Sequence, residues 1–416
     1  MERTSRRTLL RAAGVAGIGC FSGCVESLSG DGGTDAEPSA DETARAESTT
    51  DGDDSETDDQ DVRVEGSWPS FQRTPANSGS LDEPSGPTDS VEELWRVTAE
   101  DRVTRAPVVA DDTVYVGSWD DTLYAVDATE GTTEWTVDTG GGVSTGPPVV
   151  VPGGVEGASD GLVTFVGNSN GRLLAVDAAS GDVHWRTDLG APVRSTPIVV
   201  DGTLYVGCSD DHLYALDVAD GQTNWRFRTA APVASHPTVT DSTIYVGSHD
   251  DYVYAIDVTS GDERWKYEVR NGGGHGTTVV DGTVYVADTD SYLYAIDAES
   301  GDLDWEVRER AAGGTPAVVD GTVFLSHGSA AAVDATDGMV DWTFETDGIF
   351  GSPPVVADGV LYFGHESKAV FAVDVAEGRE LWHHDADYAV TGAVSVSDGR
   401  VFYGDEYGNV VALGEK

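Results

Sequence analysis

The chain has 416 residues and a formal net charge of −50, from 74 acidic side chains against 24 Lys and Arg. Nucleic-acid binding is excluded by that balance, because recognition of a phosphate backbone needs clustered positive charge. Such a surface repels itself in dilute salt, and at about 1 M salt screening shortens the range of that repulsion to ~3 Å.

The N-terminus reads as an address. Ser5–Arg11 is SRRTLLR, a twin-arginine pattern at Arg6 and Arg7. The weakly apolar AAGVAGIGC that follows is too short to cross a bilayer as a stable helix. FSGC (21–24) resembles a lipobox, which makes Cys24 the lipidated first residue of the mature chain. Cys20 is the weaker candidate, because Gly17 is a poor residue three positions before it. Residues 1–23 are therefore expected to be a twin-arginine lipoprotein signal peptide. The exported protein would sit on the outer face of the cytoplasmic membrane, held by its lipid. Residues 24–66 are expected to form a disordered tether: 25–66 hold 15 acidic and two basic residues and cannot bury a core.

Residues 67–416 are a repeat array. The skeleton Ala-x-Asp-x-x-x-Gly-x-x-x-Trp recurs seven times, ending at Trp135, Trp185, Trp225, Trp265, Trp305, Trp342 and Trp382, in steps of 50, 40, 40, 40, 37 and 40 residues. Each repeat reads as four short strands. In one of them, TPIVV (196–200) leads through the turn Asp201-Gly202-Thr203 to LYVG (204–207). SDD (209–211) then turns into LYALD (213–217), and ADG (219–221) into TNWRFRT (223–229). Asp-Gly is a strong hairpin signal. Several strands are apolar at consecutive positions, which fits sheets buried on both faces. Four strands per ~40 residues, radially repeated, predict an all-β, eight-bladed β-propeller. The eighth repeat, residues 393–414, has three strands and no Trp, so ELWRV (93–97), with Trp95 one 40-residue step before Trp135, is expected to close the last blade. Closure would leave no sheet edge exposed.

The skeleton has a local reading. Gly ends a turn that needs positive φ, and Asp four residues earlier bonds the turn backbone. Ala leaves room for the indole, which buries ~150–250 Å² and contributes on the order of 2 kcal/mol. Trp95, Trp135, Trp185, Trp225, Trp265, Trp305, Trp342 and Trp382 are the expected docking residues.

These repeats resemble the PQQ-like repeat family, whose tryptophan-docking motif is Ala-x-Asp-x-x-Thr-Gly-x-x-x-Trp. The family's Thr is replaced here by Ser180, Ser260, Ser300, Glu130, Asp220, Asp337 and Glu377. WPSFQRTPANSG (68–79) also looks like the lead-in of such proteins. The resemblance implies one of two classes. One is the quinoprotein dehydrogenases, which hold PQQ and Ca²⁺ and oxidise alcohols or sugars. The other is cofactor-free propellers, including the bacterial outer-membrane assembly lipoprotein. This chain has no adjacent cysteines, no Cys-x-x-Cys-His haem site, and one obvious insertion, VPGGVEGASDG (151–161), without a ligand cluster. The expectation is therefore a non-catalytic monomeric scaffold for an envelope or membrane protein, with no cofactor. A minimal PQQ- and Ca²⁺-dependent dehydrogenase is the alternative. The acidic excess with only three lysines, Lys266, Lys368 and Lys416, resembles haloarchaeal proteins.

A binding site is expected at one opening of the ring, where the turn between strands two and three meets the connector between blades. Trp119, Arg105, Arg194, His249 and His275 are its candidates, because exposed aromatics and Arg are enriched at interaction hot spots. The acidic turns WDD (119–121), SDD (209–211) and HDD (249–251) read as turn chemistry, not metal sites. No residues are expected to be catalytic or to bind metal, and Cys208 is read as a buried free thiol.

Overall fold

The computed structural model describes residues 80–81 and 86–416, apart from 145, 153–160, 272–275 and 349. The expected signal peptide, lipidation site and tether, with Arg6, Arg7 and Cys24, lie outside the described residues, and so does His275. The described residues form eight four-stranded antiparallel blades, with no helix among them. The innermost strands of successive blades touch in a closed cycle, the eighth against the first.

Blade three shows the local logic. Its strands are Ile198–Val200, Thr203–Cys208, His212–Asp217 and Thr223–Arg228. The first hairpin turns through Asp201 and Gly202, both at positive φ, the left-handed region in which Asp is tolerated and Gly is free. The second and third strands are buried on consecutive residues, whereas the outermost strand alternates between exposed and half-buried positions. Consecutive burial follows from packing both faces of each blade against its neighbours. The cores accordingly lie between blades. Tyr205, Leu213 and Ala215 of blade three, for example, share one with Ile244, Val246, Tyr254 and Ile256 of blade four.

The docking skeleton explains itself in three dimensions. Tyr205, Ala215 and Trp225 are cross-strand partners in one row. The small Ala lets the phenol and the indole tilt together above it, with ring centres 5.9 Å apart. The other seven blades repeat this aromatic pair. Each indole then reaches the next blade. A Cβ on Gly261 would sit 2.8 Å from Trp225, and Trp225 Nε1 donates to Val258 O. The skeleton Asp holds the turn that presents this surface: Asp257 Oδ1 accepts from the Thr259 and Ser260 amides.

The ring closes as a sheet. Val91–Thr98 pairs antiparallel with Asn409–Glu415 and completes blade eight. Its Trp95 packs on Phe402 and over Gly131 of blade one, and donates to Ala128 O. At the seam between blades seven and eight there is no skeleton turn to receive Trp382. Pro87 O replaces it, accepting from both Trp382 Nε1 (2.8 Å) and Tyr362 Oη (3.0 Å). Ser80–Leu81 adds a short parallel strand on the inner edge of blade seven, beside Val355–Ala357.

Candidate functional site

Two elements of each repeat reach one face of the ring, the turn after the second strand and the connector entering the next blade. The turns are built by their acidic residues. In blade one, Asp120 Oδ1 accepts from the Thr122 amide, and its Oδ2 accepts from Tyr124 Oη at 2.7 Å. Asp210 and Asp250 likewise accept from Tyr214 and Tyr254. Asp121, Asp211 and Asp251 take the left-handed position. Burial and these carboxylates push the Tyr124 and Tyr214 phenols up to about 12. The acidic turns are therefore tied to their own blades. Among the described residues no group of three or more His, Cys, Asp or Glu is placed to hold a metal ion.

The connectors are held by a second contact between blades. A Cβ on Gly117 would lie 2.0 Å from Val143 Cγ1, and Gly167, Gly207, Gly364 and Gly404 meet Val193, Val233, Val390 and Val103 in the same way. Absence of a side chain at the end of the second strand lets the following connector lie down on it. Ser195, Ser235 and Ser352 then bond the Gly207, Gly247 and Gly364 amides and are buried. These serines stand at the connector positions of the opening but bind their own blades.

On the axis these connectors and turns enclose a cavity of about 590 Å³. It brings together four of the sequence candidates, Arg105, Trp119, Arg194 and His249, together with His236, which follows the connector position that Arg194 precedes, and adds His327. Trp119 is 39% exposed, donates from Nε1 to Thr104 Oγ1, and carries the Arg102 guanidinium 4.2 Å from its ring centre. Arg105 Nε donates to Ser144 O and Arg194 Nε to Ser209 Oγ. Desolvation, and then the charge of Arg194, press the Arg105 pKa down. His236 Nδ1 accepts from the Thr196 amide at 2.9 Å. Burial lowers the His327 pKa against the opposing charge of Glu366, and Phe350 meets its ring edge-on at 5.3 Å. His327 carries no repeat signal in the sequence, because the second turn of blade six, between Ser326 and Ser329, is shortened and leaves no place equivalent to Trp119 or His249.

Among the described residues the lining contains Arg, His, Trp, Ser, Thr, Pro, Ala and Gly, and no carboxylate. Ca²⁺ takes six to eight oxygen ligands, typically including carboxylates. This donor set does not fit the Ca²⁺ of a quinoprotein centre. Nor does Cys208 offer a nucleophile. Its buried thiol donates to Ala191 O, and desolvation raises its pKa to about 12.

Eight tryptophan-docked blades around a lined axis define a PQQ-like β-propeller. More particularly, the chain belongs to the family described as outer membrane protein assembly factor BamB, whose model matches residues 88–152, 143–271 and 225–416. No curated protein sequence matches it. Among solved structures it is similar to BamB from Moraxella catarrhalis, at 18% identity and a TM-score of 0.63, over 78% of this chain and all of that one. It is also similar to the quinohemoprotein alcohol dehydrogenase ADHIIG from Pseudomonas putida HK5, at 16% identity and 0.73, over 85% of this chain and 81% of that one. A third is the computationally designed Ika8 protein, at 15% identity and 0.67, over 77% and 99%. At these identities the likeness is one of fold, and an assembly factor, a dehydrogenase and a design share it.

Proposed function

We propose that the protein is a non-catalytic propeller scaffold that holds an envelope or membrane protein against its axial face. The observation that carries this reading is the axial lining, whose described residues offer Arg, His and an exposed indole for recognition and include no carboxylate for metal or base chemistry. Membership of the BamB family supports the same class. We further propose export by the twin-arginine route through Arg6 and Arg7, and a lipid anchor at Cys24 on the outer face of the cytoplasmic membrane of a halophile. Replacing Cys24 with Ser should release the protein to the medium or stall its processing; unchanged membrane retention would count against the anchor.

The likeness to ADHIIG favours a second reading, a minimal PQQ- and Ca²⁺-dependent dehydrogenase of alcohols or sugars. One experiment separates the two. The full-length protein in molar salt is mixed with PQQ and Ca²⁺ and assayed for dye reduction with a panel of alcohols and sugars. In parallel, a photocrosslinking residue at Trp119 is used in whole cells. The scaffold reading expects no turnover and a discrete crosslinked partner. Turnover with saturable PQQ and Ca²⁺ would replace it with the enzyme.

A further inference from the structure

The axial cavity is an electrostatic exception in this molecule. Acidic side chains outnumber Lys and Arg 74 to 24 over the whole chain. Among the described residues the lining reverses that order, with Arg105, Arg194, His236, His249 and His327 and no Asp or Glu. The carboxylates nearest in effect lie outside the lining and are already engaged. Glu406, which acts on Arg105, accepts from Thr391 Oγ1 and faces Arg102. Glu366, which acts on His327, accepts from the Phe350 amide.

The two arginines of the lining are held in the same way. Each spends its Nε on a neutral acceptor, Ser144 O for Arg105 and Ser209 Oγ for Arg194. Among the described residues neither forms an ion pair, and neither has a hydrogen bond from its Nη atoms. Six other arginines, Arg96, Arg102, Arg264, Arg270, Arg310 and Arg379, have Asp or Glu as counter-charge; what sets Arg105 and Arg194 apart from the remaining unpaired arginines among the described residues is that they line one cavity. Arg105 is also desolvated, and Arg194 is near enough to oppose its charge. Guanidinium remains protonated under such conditions. Keeping the desolvated Arg105 charge beside a second guanidinium is unfavourable until an anion compensates it.

We propose that the axial cavity is an oxyanion site, in which the Arg105 and Arg194 guanidiniums hold a carboxylate or phosphate group through their Nη donors. The geometry of guanidinium suits this class, because its planar fork matches two oxygens at once. A volume of about 590 Å³ falls within the range of small-ligand sites. The apolar remainder of the lining, Trp119, Pro192, Ala234 and Pro353, leaves space for a carbon body attached to the anionic group. The group arrives either on a free small anion or at the carboxyl terminus of a bound chain. This site does not depend on the scaffold reading, since a small anion needs no protein partner.

The test is calorimetric titration of the full-length protein with citrate and with inorganic phosphate, in about 0.1 M salt, where charges still act over ~10 Å. Folding is followed by circular dichroism in the same buffer. Saturable binding near one anion per chain is expected. Arg194→Gln, which alters an exposed side chain, and the double variant Arg105→Gln/Arg194→Gln should weaken it by about tenfold or more, the scale of a lost charge-assisted hydrogen bond. Arg310→Gln, on the outer surface, should leave it unchanged. Displacement of citrate by a short peptide with a free carboxyl terminus, but not by its amide, would assign the group to a bound chain; no displacement would assign it to a free anion. Absence of saturable heat with either anion from the folded protein would overturn the site. So would undiminished binding by a folded double variant.

Discussion

Replacing Trp225 with alanine removes a half-buried indole that packs on Tyr205, covers Gly261 of the next blade and donates to Val258 O. Full burial would make such a loss worth about 3–5 kcal/mol; half-burial brings the expectation to about 2–3 kcal/mol, read as a lower Tm. Gly261→Ala attacks the same joint from the other side. Its φ is +72° and its Cβ would lie 2.8 Å from the indole, whereas Gly282, at φ +78°, has nothing within 4 Å. Gly282→Ala should cost only the left-handed strain of about 1–2 kcal/mol; Gly261→Ala should cost more, because the indole must also move. The reverse order in calorimetry would contradict the docking geometry. The skeleton Asp makes a separate prediction. Asp257 is held down to about 2, first by the Arg264 guanidinium, then by the Ser260 amide. A carboxylate whose folded pKa lies below its ordinary 3.8 adds stability above that value and loses it as pH falls toward 2. Asp257→Asn should therefore flatten the decline of Tm between pH 3.8 and 2. A variant whose decline matches the wild type would show that this carboxylate is not among those that matter.

The element that decides the architecture is Val91–Thr98. It supplies the outermost strand of blade eight and, through Trp95, the docking contact to blade one. Its lead-in supplies the Pro87 carbonyl to Trp382 and Tyr362. Removing residues 1–98 would leave Asn409–Glu415 as an open edge, and open edges pair with other chains. Aggregation, or loss of a single cooperative transition, is the expected result by size-exclusion chromatography and calorimetry, with partial rescue by a peptide spanning 86–98. A monomeric, cooperative truncation would sink this account of closure. What was legible beforehand follows the same scale. The 40-residue period, the eight blades and the closing strand were readable because every skeleton letter serves a turn or a cross-strand row within one repeat. The Gly117–Val143 type of contact was not, because it joins residues of adjacent repeats whose meaning appears only when blades stack. Pro87 was hidden because the lead-in resembles no other turn of the chain. Trp119, Arg105, Arg194 and His249 could be nominated from their equivalent places in the repeats. That they share one cavity, with His236 and His327 and, among the described residues, without a carboxylate, is a property of the ring.

At the scale of the molecule, charge is the largest unbalanced term, and the ring geometry decides where it acts. The outermost strands alternate exposed and half-buried residues, so acidic side chains such as Glu263, Glu268 and Glu345 crowd the circumference. Among the described acidic residues only Asp288 and Asp405 are buried, where they bond to Tyr294 and Asn409. Salt acts on this arrangement in two opposing ways. It screens the mutual repulsion of a −50 chain, and it weakens the peripheral ion pairs such as Arg264–Asp257 and Arg310–Glu345. Exposed pairs are worth roughly 0–1 kcal/mol each, and acidic groups exceed basic ones by about threefold, so relief of repulsion must win. Tm is therefore expected to rise between about 0.1 M and 1 M salt, to the same extent in sodium and potassium chloride, and to level off as the screening length approaches ~3 Å. Urea midpoints at fixed temperature should move in parallel, because the native contacts do not change. A Tm that is flat or falls over this range would mean that the ion pairs outweigh the repulsion, and would remove the physical basis for reading the composition as halophilic.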